Sequence, residues 1–300
     1  MTNNRKSLKY SFLLLLTACI WGGGFVAQSL GMDFVGPFTF NTIRSFLGGF
    51  ILIPVILIMD KLKGDKKTPW LDKNLLIGGL ICGVLLFLAT NSQQIGIKYT
   101  TVGKSGFITA FYIVLVPVFS LALKKKPSKF IWISVVLALI GLYLLCITEE
   151  SSFAVSKGDL FLFACAVLFA LQILAVDKYA PLTDCLKLSS LEFIVCGLLG
   201  IVFMINENPT SESVFAAWKA LFYSGFISCG VAYTLQVVAQ KEVKPSVASL
   251  IMSLESVFSV LFGFLVLGQH LSRNEIIGCA IMFAAVILAQ IEPSKKQSKC

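Results

Sequence analysis

The chain has 300 residues, of which 57% are hydrophobic and only 14% are charged. A soluble globular chain carries about 25% charged residues, so this composition excludes an ordinary soluble domain. Apolar runs of about 18 residues or more recur along the whole chain, which predicts a membrane protein that crosses the bilayer many times. The net charge of +9 does not call for nucleic acid as a partner, because basic residues in a membrane protein commonly record its orientation.

The hydrophobic pattern predicts an all-α integral membrane fold with about ten transmembrane helices and short polar connections. The first apolar run, from Leu8, continues into Trp21 and three glycines rather than into a signal-peptidase site, so we expect it to remain in the membrane. The expected helices are 8–29, 37–59, 74–97, 102–123, 130–148, 158–180, 185–205, 215–240, 245–268 and 273–291.

The distribution of Lys and Arg predicts the orientation. With the N-terminus in the cytoplasm, most basic residues outside the helices fall in cytoplasmic segments, and the densest groups lie at 61–73 and 124–129. The positive-inside rule therefore predicts a cell-membrane protein with both termini in the cytoplasm. The basic connections would then face anionic lipid.

An internal repeat is suggested by an offset of 143 residues, which aligns predicted helices 3–5 with helices 8–10 and pairs Tyr112 with Glu255. Because each half would have an odd number of helices, the second half must insert upside down. Inverted repeats are typical of secondary transporters, whose substrate sites lie near the midplane between the repeats. We predict two repeats, residues 1–148 with helices 1–5 and residues 149–300 with helices 6–10.

Glu255 is the strongest candidate for a functional residue. It lies about ten residues into its helix, roughly 15 Å deep in a hydrocarbon core about 30 Å thick. A charge there costs about 2.5–3.5 kcal/mol on insertion scales, so such a residue is a functional hypothesis by default. Glu255 would bind a cationic group or carry a coupling proton; the alternative is a structural hydrogen bond.

Two aromatic residues are expected at a similar depth, Trp21 on helix 1 and Tyr112 on helix 4. Trp prefers membrane interfaces, so a midplane indole either stacks on an aromatic or cationic cargo or fills a gap in the core. The three glycines at 22–24 permit either a bend or a close approach of another helix. Asn91 and Gln172 are further candidates for the cavity wall.

Two more ionisable residues, Arg44 on helix 2 and Glu192 on helix 7, each lie about seven residues, or roughly 10 Å, from a membrane face. Arg44 could snorkel outward, pair with an acid, or attract anionic cargo. Glu192 occupies a roughly corresponding position in the second half. These two residues, with Glu255, are candidates for an ion pair or for coupling.

The sequence offers no catalytic, cofactor or metal site. It has a single histidine, its nine cysteines form no Cys-x-x-Cys pair, and no glycine loop is followed by Lys-Ser/Thr. We therefore predict that the protein is not an enzyme or an ATP-driven pump, and that it needs no cofactor.

Several short motifs are distributed along the chain: Trp21-Gly22, Arg44, the segment 106–117, Ser253-Leu254-Glu255, Leu267-Gly268-Gln269 and Gly278. In these the chain resembles the EamA family of the drug/metabolite transporter superfamily over nearly its whole length. The resemblance implies ten-helix carriers with two inverted five-helix repeats around a central cavity. They move amino acids, metabolites, amines and drugs, often with proton coupling.

This sequence departs from the family pattern at two positions. Ser256 follows Glu255 where the family often has proline, and Gln269 follows Gly268 where it often has glutamate. The second change removes an acid.

We predict a secondary active transporter that moves a small polar metabolite, such as an amino acid or amine, by alternating access. Export with proton coupling follows from the resemblance. The alternatives are a passive channel, a membrane-embedded enzyme or a sensor. We expect Trp21, Tyr112, Glu255, Asn91 and Gln172 to line the cavity.

Overall fold

The computed structural model describes residues 2–64, 68–99, 102–146, 156–267 and 272–290, and within these ranges it contains helices and no strands. In chain order the helices are α1 Thr2–Gly31, α2 Pro37–Lys63, α3 Lys73–Lys98, α4 Val102–Thr109, α5 Tyr112–Ala122, α6 Lys129–Cys146, α7 Lys157–Tyr179, a 3₁₀ turn Ala180–Leu182, α8 Cys185–Glu207, α9 Ser211–Ala216, α10 Trp218–Phe222, a π-helix Tyr223–Tyr233, α11 Thr234–Gln240, α12 Pro245–Met252, α13 Glu255–Leu267 and α14 Arg273–Gln290.

These helices form the crossings that the hydrophobic pattern predicts. In the described part of the chain, 9 segments are long and apolar enough to cross a membrane, and the shorter apolar helix Lys129–Leu145 supplies a tenth. The prediction of an all-α, many-crossing fold is therefore confirmed. The predicted helix ends at 148, 268 and 291, and the departure at Gly268-Gln269, lie outside the described residues.

Two crossings that we predicted as continuous helices are broken near their middle. The fourth breaks between α4 and α5, at Ala110 and Phe111, and the ninth breaks between α12 and α13, at Ser253 and Leu254. Backbone N–H groups at the breaks donate to carbonyl groups three residues earlier, as in a 3₁₀ turn; Leu254 N, for example, donates to Ile251 O at 3.2 Å. Neither break contains Gly or Pro, so the usual sequence signal for a helix break is missing.

The eighth crossing also differs from the single helix predicted over 215–240. It begins at Trp218 as α10, winds as a π-helix from Tyr223 to Tyr233, and ends as α11. π-helical turns are rare and occur frequently at functional sites. The short α9, Ser211–Ala216, precedes this crossing as a separate element.

The crossings pack as two bundles. The first bundle comprises α1, α2, the eighth crossing and α12–α13, and the second comprises α3, α4–α5, α7 and α8. The packing of α1 on α13 has its counterpart in the packing of α7 on α4 and α5. The helices α2 and α8 join the bundles, and α6 packs against α14.

Glycine sets the distance between α1 and α13. A Cβ atom on Gly22 would lie 2.8 Å from the backbone carbonyl carbon of Phe258 and 2.8 Å from the backbone nitrogen of Ser259. Helix α1 continues unbroken through the three glycines to Gly31. Of the two alternatives for this motif, the structure therefore shows close helix approach rather than a break in the helix.

Polar contacts tie α2 to α8 at both ends of the molecule. At one end Glu207 Oε2 accepts hydrogen bonds from Thr39 N and Thr39 Oγ1, both at 2.7 Å. At the end where α1 begins, which we call the amino-terminal face, Lys187 Nζ donates to Asp60 Oδ2 and to the carbonyl oxygen of Thr68, both at 2.6 Å. These contacts hold the bundles together across their full height.

Candidate functional site: a cavity between the two bundles

A small cavity lies between the bundles. Its volume is about 30 Å³, which is room for one or two water molecules. Its wall is formed by Trp21, Phe25, Gln28, Arg44, Gln93, Tyr112, Phe169, Gln172, Ile173, Ser228, Tyr233, Gln236 and Glu255. These residues come from seven different crossings of the two bundles, so any relative motion of the bundles would change the shape of the cavity.

Tyr112 and Glu255 meet at this wall, each as the first residue of the half-helix that follows a break. The Tyr112 hydroxyl donates a hydrogen bond of 3.1 Å to Glu255 Oε1. Both side chains are buried, with exposed fractions of 3% and 5%. In the described part of the chain no Lys or Arg lies within 4 Å of the Glu255 carboxyl group. The acid is therefore held by a neutral phenol, and a cation could still bind to it.

Arg44 and Trp21 supply hydrogen-bond donors to the cavity. Arg44 has an exposed fraction of 4%, its Cζ lies 5.7 Å from the centre of the Phe40 ring, and among the described residues its guanidinium has no hydrogen bond or ion pair. The buried indole Nε1 of Trp21 also has no partner among the described residues. Because unpaired buried donors are costly, these two favour a ligand with an anionic or acceptor group.

The aromatic wall around Trp21 extends into the π-helix. The ring centres of Trp21 and Tyr233 lie 4.6 Å apart, and Phe193 meets Tyr233 edge to face at 5.1 Å. Trp21 and Tyr233 give the wall of the cavity an aromatic surface. Aromatic faces can also attract a cationic ligand.

Glutamine side chains close the cavity toward both faces. Toward the amino-terminal face, Gln236 Nε2 donates to Gln172 Oε1 at 3.2 Å, and Gln240 Nε2 donates to the carbonyl oxygen of Ile173 at 3.1 Å. Toward the opposite face, Gln94 Nε2 donates to the carbonyl oxygen of Gln28 at 3.3 Å. Each of these bonds joins one bundle to the other, so each must break if that face is to open.

The structure brings four of the five predicted wall residues to the cavity: Trp21, Tyr112, Gln172 and Glu255. Asn91 lies outside the wall. Its Oδ1 accepts from Asn41 Nδ2 at 3.1 Å, and its Nδ2 donates to the carbonyl oxygen of Phe87 at 2.8 Å. Its amide oxygen is therefore held by α2, and its amide nitrogen by the carbonyl group one turn earlier on α3.

Arg44 and Glu192 do not form an ion pair within 4 Å in the described part of the chain. Arg44 lines the cavity, whereas Glu192 does not appear on its wall and contacts Gln172, whose Nε2 donates to Glu192 Oε1 at 3.5 Å. The two residues therefore belong to different environments, one in the cavity and one behind it.

Other wall residues, including Gln28, Ser228 and Tyr233, were not singled out by the sequence. Ser228 and Tyr233 lie on the π-helix, whose register cannot be read from a pattern that assumes 3.6 residues per turn. In the described residues no group of three or more His, Cys, Asp or Glu side chains could hold a metal ion.

The model of the EamA-like transporter family matches this chain twice, over residues 8–147 and 156–290. The chain belongs to the EamA-like transporter family. The two matched stretches together cover most of its length. The predicted division at residue 148 falls between them, outside the described residues, and stays a prediction.

Curated relatives of this EamA-family protein are also transporters by name. An uncharacterized transporter from Archaeoglobus fulgidus is 30% identical over 97% of this chain and 94% of the relative. The uncharacterized transporter YoaV from Bacillus subtilis is 21% identical over 95% and 97%, and the uncharacterized inner membrane transporter YedA from Escherichia coli is 22% identical over 91% and 87%.

A solved structure shares the fold of this EamA-family chain. A protein crystal structure superposes with a TM-score of 0.75 and covers 93% of this chain and 96% of its own, at 18% sequence identity. At that identity the likeness shows the fold alone. Together, the family match and the helices establish a multi-pass membrane protein of a transporter family, which confirms the resemblance inferred from the motifs.

Proposed function

We propose that this EamA-family protein is a secondary active transporter that moves a small polar metabolite, an amino acid in the first instance, across the cell membrane by alternating access. One observation carries the proposal. Among the described residues, the cavity between the bundles holds a buried guanidinium with no acceptor, Arg44, and a buried carboxyl group with no cation, Glu255.

A zwitterion complements this arrangement. The planar guanidinium of Arg44 suits a carboxylate, to which it can donate two parallel hydrogen bonds, and the Trp21 indole N–H can add a third. Glu255 suits an ammonium group. The rings of Trp21 and Tyr233 suit an apolar side chain or the face of a cation. A simple amine would use only Glu255 and the rings.

The small volume of the cavity and the interbundle hydrogen bonds on either side of it support alternating access. Ligand pockets for small molecules occupy about 300–1,000 Å³, an order of magnitude more than the cavity of about 30 Å³. The bundles must therefore separate before a metabolite can bind. Opening the amino-terminal face would break the bonds of Gln236 and Gln240, and opening the other would break the Gln94 bond. Breaking one set at a time gives alternating access.

Proton coupling is proposed for Glu255, since a carboxyl group in the cavity can hold either a proton or the cationic group of a substrate but not both. Competition of this kind exchanges protons for substrate. Protons that move inward down their gradient would then drive the export of substrate. We place both termini in the cytoplasm, and we assign residues 1–148 and 149–300 to the two repeats. No catalytic turnover and no cofactor are expected.

The test is transport by the purified protein in proteoliposomes. A pool of radiolabelled amino acids and simple amines is offered with and without an imposed pH gradient, and counterflow is measured after preloading with unlabelled pool. We expect saturable counterflow for at least one amino acid. Flux that does not saturate and shows no counterflow would indicate a passive channel. Counterflow confined to compounds without a carboxylate would rule out the zwitterion.

A further inference from the structure

Glu192 is the most deeply buried acid in the described part of the chain that the substrate cavity does not use. It lies on α8 with an exposed fraction of 0%. Its Oε1 accepts one long hydrogen bond of 3.5 Å from Gln172 Nε2, and its Oε2 has no partner among the described residues. No Lys or Arg in those residues lies within 4 Å of it.

Glu192 ends a chain of side-chain amides whose direction is fixed. The chain begins at a backbone carbonyl, that of Ile173, which can only accept, and which receives Gln240 Nε2. Gln240 Oε1 must then accept, and it receives Gln236 Nε2 at 2.8 Å. The same nitrogen donates to Gln172 Oε1, which turns the Gln172 amide nitrogen toward Glu192. The chain therefore presents one donor to Glu192 and no acceptor.

An ionised carboxylate would have too few hydrogen-bond donors around it at this position. It has about four acceptor sites, and within the described part of the chain it receives a single long hydrogen bond. Burying an isolated charge without a partner costs so much that such groups ordinarily take the neutral form. A protonated acid costs less. Its carbonyl oxygen accepts from Gln172, and the hydroxyl at Oε2, which has no acceptor among the described residues, leaves a neutral donor unpaired rather than a charge.

The charged and titratable groups around Glu192 lie on four elements. Cys82 on α3, Cys196 on α8, and Cys229 and Tyr233 on the π-helix interact with it electrostatically. Arg44 on α2 acts on Cys196, Cys229 and Tyr233 and is the one cation among these groups. The remaining neighbour, Gln172 on α7, is neutral.

We propose that Glu192 is a proton-binding site behind the substrate cavity, and that Gln172 connects the two. Gln172 lies on the cavity wall, contacts Glu192, and accepts the Gln236 bond that joins the bundles toward the amino-terminal face. A substrate that took the Gln172 amide would remove the one donor of Glu192 and favour the protonated form. This role in transport rests on the proposed function, whereas the proton site itself does not.

The proton site is tested without any substrate, by infrared spectroscopy of the full-length protein in lipid nanodiscs at neutral pH. A protonated carboxylic acid has a C=O stretching band that a carboxylate lacks. We expect Glu192→Gln to lose one such band, and Glu255→Gln to leave that band in place. Gln172→Leu should shift the band to higher frequency, because the carbonyl oxygen then loses its hydrogen bond.

A second measurement guards against a variant that fails to fold. Labelling the glutamate carboxyl groups of the wild-type protein with ¹³C should move the same band to lower frequency. If Glu192→Gln keeps every protonated-acid band of the wild type, or if the label moves none, the proposal is overturned. Absence of transport in every assay would contradict the proposed function. The infrared result does not depend on transport and would still decide whether Glu192 holds a proton.

Discussion

The Tyr112 hydroxyl donates a 3.1 Å hydrogen bond to Glu255 Oε1 between residues that are 143 positions apart in the chain. The same interval relates the two helix breaks, at Ala110–Phe111 and Ser253–Leu254. Residues that the predicted repeats pair with each other are therefore also in contact, at the point where both broken helices restart. A transporter built from inverted repeats has its substrate site at such a point.

The two partners of this bond should respond differently to substitution. In Glu255→Gln the amide oxygen still accepts from Tyr112, so the variant should keep wild-type thermal stability. It should bind the ammonium group of a substrate more weakly, still exchange substrate at high concentration, and lose accumulation driven by a pH gradient. Proteoliposome uptake with and without the gradient measures both properties. Wild-type accumulation by the variant at every gradient would show that Glu255 is structural.

Tyr112→Phe removes the donor and leaves a buried carboxyl oxygen without a partner. The cost should be about 1–3 kcal/mol, seen as a lower midpoint when the detergent-solubilised protein is heated and assayed by size-exclusion chromatography. Tyr143→Phe, at an exposed position on α6, is the control and should leave the midpoint unchanged. Equal midpoints for the two variants would mean that the hydrogen bond contributes nothing.

Arg44 should control recognition of a carboxylate. Arg44→Lys keeps the charge but loses the planar pair of donors, so counterflow of a transported amino acid should need about tenfold more substrate for half saturation. Its effect on amines without a carboxylate should be small. Arg273→Lys, at an exposed position at the start of α14, is the matched control. A uniform loss for amino acids and amines alike would argue for a structural role.

The glycine motif of α1 offers a matched pair of substitutions. Gly22→Ala places a methyl group against the backbone of α13 and should cost about 1–3 kcal/mol, because the helices must move apart. At Gly24 the nearest atom to an added Cβ is Ser228 Oγ, 3.8 Å away, so Gly24→Ala should be tolerated. The heating midpoints of the two variants give the comparison, and the reverse order would contradict the observed packing.

Two Lys–Asp pairs differ in burial and should differ in energetic weight. The Lys187 side chain is 1% exposed and bonds Asp60, whose side chain is 15% exposed. Lys187→Met therefore leaves a largely buried carboxylate without its partner and should cost about 3–5 kcal/mol. Lys125 is 51% exposed and bonds Asp177, so Lys125→Met should cost about 1 kcal/mol or less. Added salt should weaken the stabilisation by the Lys125 pair more than the stabilisation by the Lys187 pair. An equal effect of salt on both would mean that solvent reaches the Lys187 pair.

The sequence by itself determined the class of the protein, and it predicted the height of its main residues in the membrane. Hydrophobic runs report length and apolarity, and these are enough to count helices and to predict that Trp21, Tyr112 and Glu255 lie near the midplane. The repeat offset of 143 residues and the similar predicted depth in the membrane together predicted that Tyr112 and Glu255 occupy equivalent positions in the two halves. That they touch is decided by how two helices from different bundles face each other, which no local pattern records.

Only the tertiary structure decided where the helices break and which polar groups find partners. The breaks at Ala110 and Ser253 lack Gly and Pro, because tertiary packing rather than local propensity stabilises them. Asn91 and Gln172 look alike in sequence, yet Asn41 occupies the first while the second reaches the cavity. Arg44 and Glu192 could have formed a pair, but each was left with its own neighbours. Hydrogen-bond partners are a property of the folded arrangement, since residues far away in the chain decide whether a polar group has a partner.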